Sequence, residues 1–143
     1  MDLFRALEIS ASGLTAQRAR MDAITENLAN SESTVTATGG PYRRKIVVLQ
    51  PVDERNFPAI LRRSGSPEGG VSVAGVRETL DAPRRVYQPG HPQAGPDGFL
   101  TLPNVNPITE MVDMLLTTRA YEANAAAFQA AKSLGAKLLE ILR

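Results

Sequence analysis

The sequence contains no cysteine, no tryptophan and only one histidine among its 143 residues. The absence of cysteine excludes disulfide bonds, thiolate catalysis and cysteine-ligated metal sites. A single imidazole is weak evidence for a metal site, because such sites need several nitrogen or sulfur ligands. Aromatic residues make up only 5% of the chain, which is little for a large compact core. These shortages argue against an enzyme, a metalloprotein or a cofactor-binding protein.

Long apolar runs and a strong net charge are also missing. The longest purely aliphatic stretch covers residues 46–49, whereas a membrane-spanning helix needs roughly 20 apolar residues. The N-terminus has no basic segment followed by an apolar core, so we expect no cleavable signal peptide and no membrane span. The net charge is +1, which is too small to argue for binding to nucleic acid or to an anionic membrane.

The last third of the chain, residues 106–143, predicts one long helix. Asn106 and Pro107 suit the N-cap and the first helical position, and no proline follows them. Glu110 lies near the predicted start, where the helix dipole favours an acidic group. Apolar residues then recur at alternating spacings of three and four, which is typical of a coiled-coil seam. Eight of the seventeen residues from 120 to 136 are alanine, so a partner helix could approach closely.

A second long helix is predicted within residues 1–30. A leucine or methionine recurs every seven residues from Leu7 to Leu28, although Gly13 costs about 1 kcal/mol relative to alanine. Two explanations of the narrow apolar stripes remain open. The helices form an antiparallel hairpin within one chain, or other copies of the chain cover the stripes. Because the stripes hold few large apolar groups, we expect loose termini in the isolated chain and ordered termini in an assembly.

The segment between the helices, residues 31–105, holds nine of the ten prolines. Its β-branched and alternating stretches predict strands at 42–50, 71–80 with a kink at Gly75, 84–87 and 99–102, and a weaker one at 57–62. The predicted fold class is therefore α+β. Two long terminal helices, residues 1–30 and 106–143, flank a small β-rich insert at residues 31–105.

No residue pattern predicts catalysis. His91, the only histidine, lies in a Pro-Gly-His-Pro sequence with one nearby carboxylate, Asp97, so a structural role in a loop is expected. The basic cluster Arg43-Arg44-Lys45 raises the question of nucleic acid, but the insert holds nine basic and seven acidic residues, a net charge of only +2. Aromatic residues that could stack on bases are not interleaved with the basic clusters. Solvated or interface charges are the preferred interpretation.

Two segments resemble a known family. Residues 6–34, ALEISASGLTAQRARMDAITENLANSEST, are similar to the N-terminal signature of bacterial flagellar rod and hook proteins. Its centre is Asn27-Leu28-Ala29-Asn30. Residues 86–125 resemble the C-terminal half of a proximal-rod member of that family. This likeness rests on two blocks, Pro89-Gly90-His91-Pro92 and Pro103-Asn104-Val105-Asn106.

The resemblance implies a structural subunit of the proximal rod of the flagellar basal body. In such proteins the terminal helices pack in the inner layer of a helical tube, which is both drive shaft and export channel, and the insert faces outward. The implied partners are copies of the chain itself, other rod proteins, rod-base and MS-ring adaptor proteins, and the flagellar type III export apparatus. The implied location is the periplasmic part of the basal body, reached without a cleavable signal peptide. Neither a cofactor nor nucleic acid is implied.

Helix packing is then the predicted mechanism. The residues selected for the assembly interface are Leu7, Leu14, Met21, Ile24, Leu28, Met111, Leu115, Tyr121, Phe128, Leu138 and Leu142. Asn27 and Asn30 either end the first helix and turn the chain or contact a neighbouring subunit. Two alternatives stay open: another flagellar rod component, or a soluble helical adaptor or chaperone of the export system. An adaptor would form a discrete complex of fixed size rather than a polymer.

Overall fold

A computed structural model describes residues 3–37, 39–52 and 69–141 of the chain. The elements in chain order are α1 (Leu3–Ala29), β1 (Lys45–Pro51), β2 (Val71–Glu78), β3 (Arg84–Tyr87), β4 (Phe99–Leu102) and α2 (Pro107–Ile141). This order confirms the predicted α+β class. The weak strand predicted at 57–62 and the interface residue Leu142 lie outside the described residues. Among the elements described, neither helix is long and apolar enough to cross a membrane.

Both helix ends that meet the insert are capped by asparagine. The Ile108 N–H donates to Asn106 Oδ1 over 3.0 Å, so Asn106 is the N-cap of α2 and Pro107 its first residue. At the end of α1, the Asn30 N–H and side-chain Nδ2 donate to the Glu26 carbonyl over 3.1 and 2.9 Å. The Ser33 hydroxyl in turn donates to Asn30 Oδ1. Asn30 therefore closes the last turn of α1 and anchors the turn that follows.

The two helices pack against each other in opposite directions within one chain. Contacting pairs are Leu3 with Gly135, Gly13 with Asn124, Met21 with Thr118, and Asn27 with Glu110. Because numbers fall on one helix as they rise on the other, the arrangement is an antiparallel hairpin. The apolar stripes predicted on the two helices thus largely face one another inside the subunit. Of the two explanations left open by the sequence, the intramolecular hairpin is the one that the structure adopts.

The longer helix projects beyond the shorter one. At ~1.5 Å per residue, the 35 residues of α2 extend about 52 Å and the 27 residues of α1 about 40 Å. Since Leu3 lies opposite Gly135, the last residues of α2 have no α1 residue beside them among the described ranges. Phe4, Leu134, Leu138 and Leu139 are all more than half exposed at this end. We call these four residues the tip of the hairpin.

The insert consists of two separate antiparallel ribbons. In the first, β1 pairs with β2, and the register shifts between Val48 and Leu49. Ala74 is the extra residue of this β-bulge, and it precedes Gly75, whose φ is 156°. The predicted kink at Gly75 coincides with this bulge. The ribbon is joined to α1 where the Val71 N–H donates to the Ser12 hydroxyl over 3.1 Å.

The second ribbon pairs β3 with β4 and closes through a glycine turn. Gly98 has a φ of 73° and donates its N–H to the Gly95 carbonyl over 2.9 Å. A Cβ at this position would lie 2.8 Å from Cε2 of Tyr87, so the missing side chain also makes room for the ring. The Tyr87 ring meets Phe99 edge to face, with centroids 5.3 Å apart.

Buried apolar residues are few, and most lie where the hairpin meets the insert. The core residues of this region are Ile24, Tyr42, Pro103 and Val105, while Leu100 is buried in the second ribbon. Along the rest of the helix interface the buried apolar residues are alanines, at positions 16, 23 and 131. Small side chains allow close approach of the helices but remove little apolar surface from water. The region between hairpin and insert is therefore the part that this subunit packs best by itself.

Candidate functional site

Asn27 is buried where three elements meet. Its side chain is 1% exposed. Its amide Nδ2 donates to the Lys45 carbonyl over 2.8 Å and to Glu110 Oε2 over 3.1 Å. Its Oδ1 accepts from the Lys45 N–H over 2.8 Å and from the Tyr42 hydroxyl over 3.0 Å. Because one amide offers two donors and two acceptor positions, Asn27 is fully satisfied. It joins α1 to β1 and α2 without ending a helix itself.

Glu110 is the second buried polar group at this junction. Its side chain is 1% exposed, and Arg44 Nε lies 2.6 Å from Glu110 Oε1. The same guanidinium reaches Asp113 Oδ2 over 3.4 Å. A carboxylate held away from water is destabilising unless it is paired and hydrogen-bonded, and Arg44 and Asn27 supply both kinds of contact. We call Asn27, Tyr42, Arg44, Lys45 and Glu110 the joint, because they link both helices to the insert.

The joint also explains the basic cluster at residues 43–45. Arg44 pairs with Glu110 and Asp113, and Lys45 Nζ forms an ion pair with Glu26. Two of the three cationic side chains are thus used inside the subunit, which supports the interpretation of the cluster as structural. Only Arg43 is exposed.

Burial, the larger cause, and the neighbouring carboxylates of Glu26, Glu78 and Glu110 together raise the pKa of the Tyr42 hydroxyl from 10.0 to about 12. The hydroxyl therefore keeps its proton at neutral pH. It can act only as a donor towards Asn27 Oδ1, which fixes the orientation of that amide.

The motif Asn27-Leu28-Ala29-Asn30 does not predict the hydrogen bonds and ion pairs of the joint. Glu110 is predicted from the sequence only as a favourable charge at a helix start, and Arg44 only as one member of a basic cluster. The contacts join residues up to 83 positions apart, and no periodicity relates them. The one available signal is that Asn27 belongs to the family motif, which does not indicate its contacts.

His91 organises the loop between β3 and β4. The His91 backbone N–H donates to the Gln88 carbonyl over 3.1 Å. The ring Nδ1 of His91 accepts from the Gln93 backbone N–H over 3.2 Å. The Gln93 side chain also contacts the Thr34 hydroxyl, which ties the loop to the segment after α1. Across the described ranges, no group of three or more histidine, aspartate or glutamate residues could hold a metal ion. The Pro-Gly-His-Pro block thus lies in a hydrogen-bonded loop.

The outward side of α2 carries a continuous apolar surface near the joint. Ile108, Met111, Val112, Leu115 and Leu116 are each more than half exposed. Their spacing of three, four and one places them on one side of the helix. We call these five residues the outer stripe. An exposed apolar row of this kind marks an interaction surface more often than a free surface.

The outward side of α1 is different in character. It presents the charged residues Glu8, Arg18, Asp22 and Glu26, all of which are exposed. The unpaired apolar surface of the hairpin is therefore concentrated on α2 and at the tip.

Among the described residues, those predicted for the assembly interface separate into two groups. Leu7, Leu14, Met21, Leu28, Tyr121 and Phe128 are half-buried, and Ile24 is buried, within the subunit. Met111 and Leu115 belong to the outer stripe, and Leu138 belongs to the tip. Only the residues of the second group offer more than half of their surface to a neighbour. The motif residues Pro103 and Val105 are buried, whereas Ala29, Asn104 and Asn106 are exposed.

Comparison with known proteins matches each helix to a family of flagellar basal body rod proteins. Residues 7–38 match the family described as flagella basal body rod protein, and residues 97–141 match the family described as flagellar basal body rod FlgEFG protein C-terminal. The chain is 44% identical to the flagellar basal-body rod protein FlgC of Bacillus subtilis, with 99% of each chain covered. The chain belongs to the FlgC family of flagellar basal-body rod proteins.

Two further FlgC relatives also match over nearly their whole length. The chain is 39% identical to FlgC of Aquifex aeolicus, over 98% of this chain and 97% of the relative. It is 37% identical to FlgC of Salmonella typhimurium, over 99% of this chain and 98% of the relative. Asn27 lies in the N-terminal family match, and Glu110 and the outer stripe lie in the C-terminal one. The joint thus connects the two matched segments of a FlgC-family chain.

Proposed function

We propose that this protein is a structural subunit of the proximal rod of the bacterial flagellar basal body. It polymerises by helix packing and forms part of the drive shaft and of the channel through which later components are exported. The outer stripe carries this proposal, because a row of large apolar side chains on a charged, elongated hairpin needs a partner surface. The names of the relatives, all flagellar basal-body rod proteins, support the same assignment and a role without catalysis.

The energetics of the outer stripe favour assembly in a lattice over a simple pair. Fully burying a large apolar side chain is worth ~1.5–3 kcal/mol, so covering five half-exposed ones gives roughly 5 kcal/mol. Association costs at least about 4 kcal/mol in lost translational and rotational freedom. A single contact of this kind is therefore weak. A subunit added to a growing rod makes several contacts at once, and those contacts together hold it in place.

The partners and the location follow from family membership as part of the proposal. Copies of the chain and other rod proteins cover the hairpin, and rod-base and MS-ring adaptor proteins hold the lower end of the rod. The subunit crosses the inner membrane through the flagellar type III export apparatus and is assembled in the periplasmic part of the basal body. A chain without disulfides suits passage through a narrow export channel.

Leu115→Asp tests the proposal. Leu115 is exposed, so we expect the free energy of unfolding of the isolated chain to change by less than about 0.5 kcal/mol. In a bacterium lacking the native gene, the wild-type chain should restore motility and be recovered in purified basal bodies. Leu115→Asp should do neither, because a charge would be buried in the subunit contact.

Gln129→Asp is the matched control, because it adds the same charge at an exposed, already polar position of the same helix. It should restore motility. Normal motility with Leu115→Asp would exclude the outer stripe as an assembly surface. Recovery of the wild-type chain only in a soluble complex of fixed size would favour an export adaptor instead.

A further inference from the structure

Gln17 carries a buried polar atom that the packing of the hairpin leaves unpaired. Its Oε1 has no hydrogen-bond partner, and within residues 3–37, 39–52 and 69–141 it is the one buried side-chain oxygen or nitrogen in that condition. A buried acceptor without a donor destabilises the closed hairpin, because water would bind the same atom once it is exposed. An unpaired group of this kind in a folded chain needs a physical explanation.

Gln17 lies between two polar contacts of the helix seam. One turn before it, Gly13 lies against the Asn124 side chain, and one turn after it, Met21 contacts the Thr118 hydroxyl. Neither contact joins two large apolar side chains, which are the groups that stabilise a seam between helices. The unpaired oxygen is therefore at the centre of a weakly packed stretch of the hairpin.

Burial differs on the two sides of Gln17. We divide the hairpin there into an inner half, residues 18–29 with 107–118, and an outer half, residues 3–16 with 121–140. Both helices contribute buried residues to the inner half, namely Ala23, Ile24, Asn27, Glu110 and Thr117. The buried residues of the outer half are two alanines, Ala16 and Ala131.

The two halves should therefore open at different free energies. Separating the helices of the outer half exposes little apolar surface, because alanine side chains are small. It also lets water donate to Gln17 Oε1. Separating the inner half instead breaks the contacts of Glu110 with Arg44 and Asn27, which leaves polar groups without their partners. Local opening starts where fewest such contacts are lost.

We propose that Gln17 is a weak point of the hairpin, at which the outer half opens while the joint keeps the inner half closed. Opening uncovers the inward side chains of both helices, Leu7, Leu14, Tyr121 and Phe128, which are half-buried in the closed hairpin. Four residues that the sequence places at the assembly interface thus become accessible without unfolding of the joint. This inference concerns the isolated chain and goes beyond the proposed function.

Cysteine labelling measures the opening of each half, because the chain has no cysteine of its own. Ala131→Cys reports on the outer half and Ala23→Cys on the inner half, and the two alanines are exposed by 8 and 7%. Circular dichroism verifies that each purified full-length variant is folded. Iodoacetamide then reacts with the thiol when opening uncovers it. Ala131→Cys should be labelled roughly tenfold faster than Ala23→Cys or more, because less free energy is needed to open the outer half.

Adding Gln17→Met to Ala131→Cys tests the weak point itself. Methionine is unbranched like glutamine and has a similar helix propensity, but it has no amide that needs hydrogen bonds. The closed hairpin then holds no unpaired acceptor, so labelling of Ala131→Cys should slow by roughly tenfold. Gln129→Met in the same background is the matched control, because it makes the same replacement at an exposed position. It should change the labelling rate by less than about twofold.

Two results would overturn the proposal. Equal labelling rates of Ala131→Cys and Ala23→Cys would show that the hairpin opens as one unit. An unchanged labelling rate of Ala131→Cys after Gln17→Met would show that the opening does not involve Gln17. Because the measurement uses the isolated chain, it is independent of the rod function. Absence of the wild-type chain from basal bodies would refute that function and leave this inference standing.

Discussion

At the scale of single residues, the feature that most affects stability is the charge of Glu110. Its carboxylate is almost completely removed from water, yet it contacts one guanidinium and one amide. Breaking a buried ion pair by removing one partner costs more than the pair contributes, because the remaining charge stays buried and unpaired. The joint is therefore sensitive to the loss of any one member.

Arg44→Ala should lower the free energy of unfolding by about 3 kcal/mol, because it leaves Glu110 without its cation. The neighbouring Arg43→Ala removes an exposed side chain of the same type and should change stability by less than about 0.5 kcal/mol. Urea unfolding of the purified chains measures both. Adding Glu110→Gln to Arg44→Ala should recover part of the loss, since the unpaired charge is gone. Equal stabilities of Arg44→Ala and Arg43→Ala would mean that the ion pair contributes nothing.

At the scale of elements, close approach of the two helices is what makes the hairpin. Helix propensity alone predicts that Gly13 destabilises α1. In the structure, however, Gly13 lies against the Asn124 side chain. A Cβ at Gly13 would lie 2.9 Å from Asn124 Nδ2 and 3.1 Å from Oδ1. The alanines at 16, 23 and 131 are buried along the same interface. The missing side chain at Gly13 thus leaves room for the Asn124 side chain between the two helices.

Gly13→Leu should therefore destabilise the hairpin even though leucine is the better helix former. Overpacking costs about 1–3 kcal/mol, whereas the gain in helix propensity is below about 1 kcal/mol, so we expect a net loss on the order of 1 kcal/mol. Ala11→Leu, at an exposed position of the same helix, is the control and should be neutral. The urea midpoints of the two variants provide the comparison. A stability of Gly13→Leu at or above that of the wild type would contradict close packing at this point.

At the scale of the whole molecule, packing is uneven along the hairpin. The joint region holds most of the large buried apolar residues and the satisfied buried polar groups, whereas the tip holds exposed leucines and a projecting helix end. Local stability follows buried contacts, so the two ends of the hairpin should open at different rates. When neighbouring subunits cover the exposed apolar surfaces of α2, assembly orders the tip, which is the less stable end of the hairpin.

Hydrogen exchange should show this gradient. In the isolated chain, amides at residues 23–28 and 110–117 should exchange slowly, and those at 3–10 and 132–141 should exchange quickly. In purified basal bodies, the second group should become protected, because neighbouring subunits cover the tip. Uniformly slow exchange along both helices of the free chain would show instead that the hairpin is fully formed before assembly.

The sequence determined the elements and the family. Heptad spacing, the Asn106-Pro107 helix start, the proline-rich insert and the two motif blocks predict the α+β order, because each of these signals is local to a few turns or strands. Which apolar residues remain exposed could not be predicted in this way. Met111 and Leu115 were selected together with Leu14 and Phe128, yet only the first two lie on the outer stripe.

The tertiary structure alone determines which apolar residues of the two helices are covered within the chain. Whether a stripe is covered by its own chain depends on the register in which α1 meets α2, and many registers are compatible with repeats of leucine and alanine. The contacts of Asn27 and Glu110 fix that register, since a shift along the helix would leave both groups buried and unpaired. The local pattern therefore specifies two helices and an insert. A few polar contacts between distant residues determine which surfaces remain free for a neighbour.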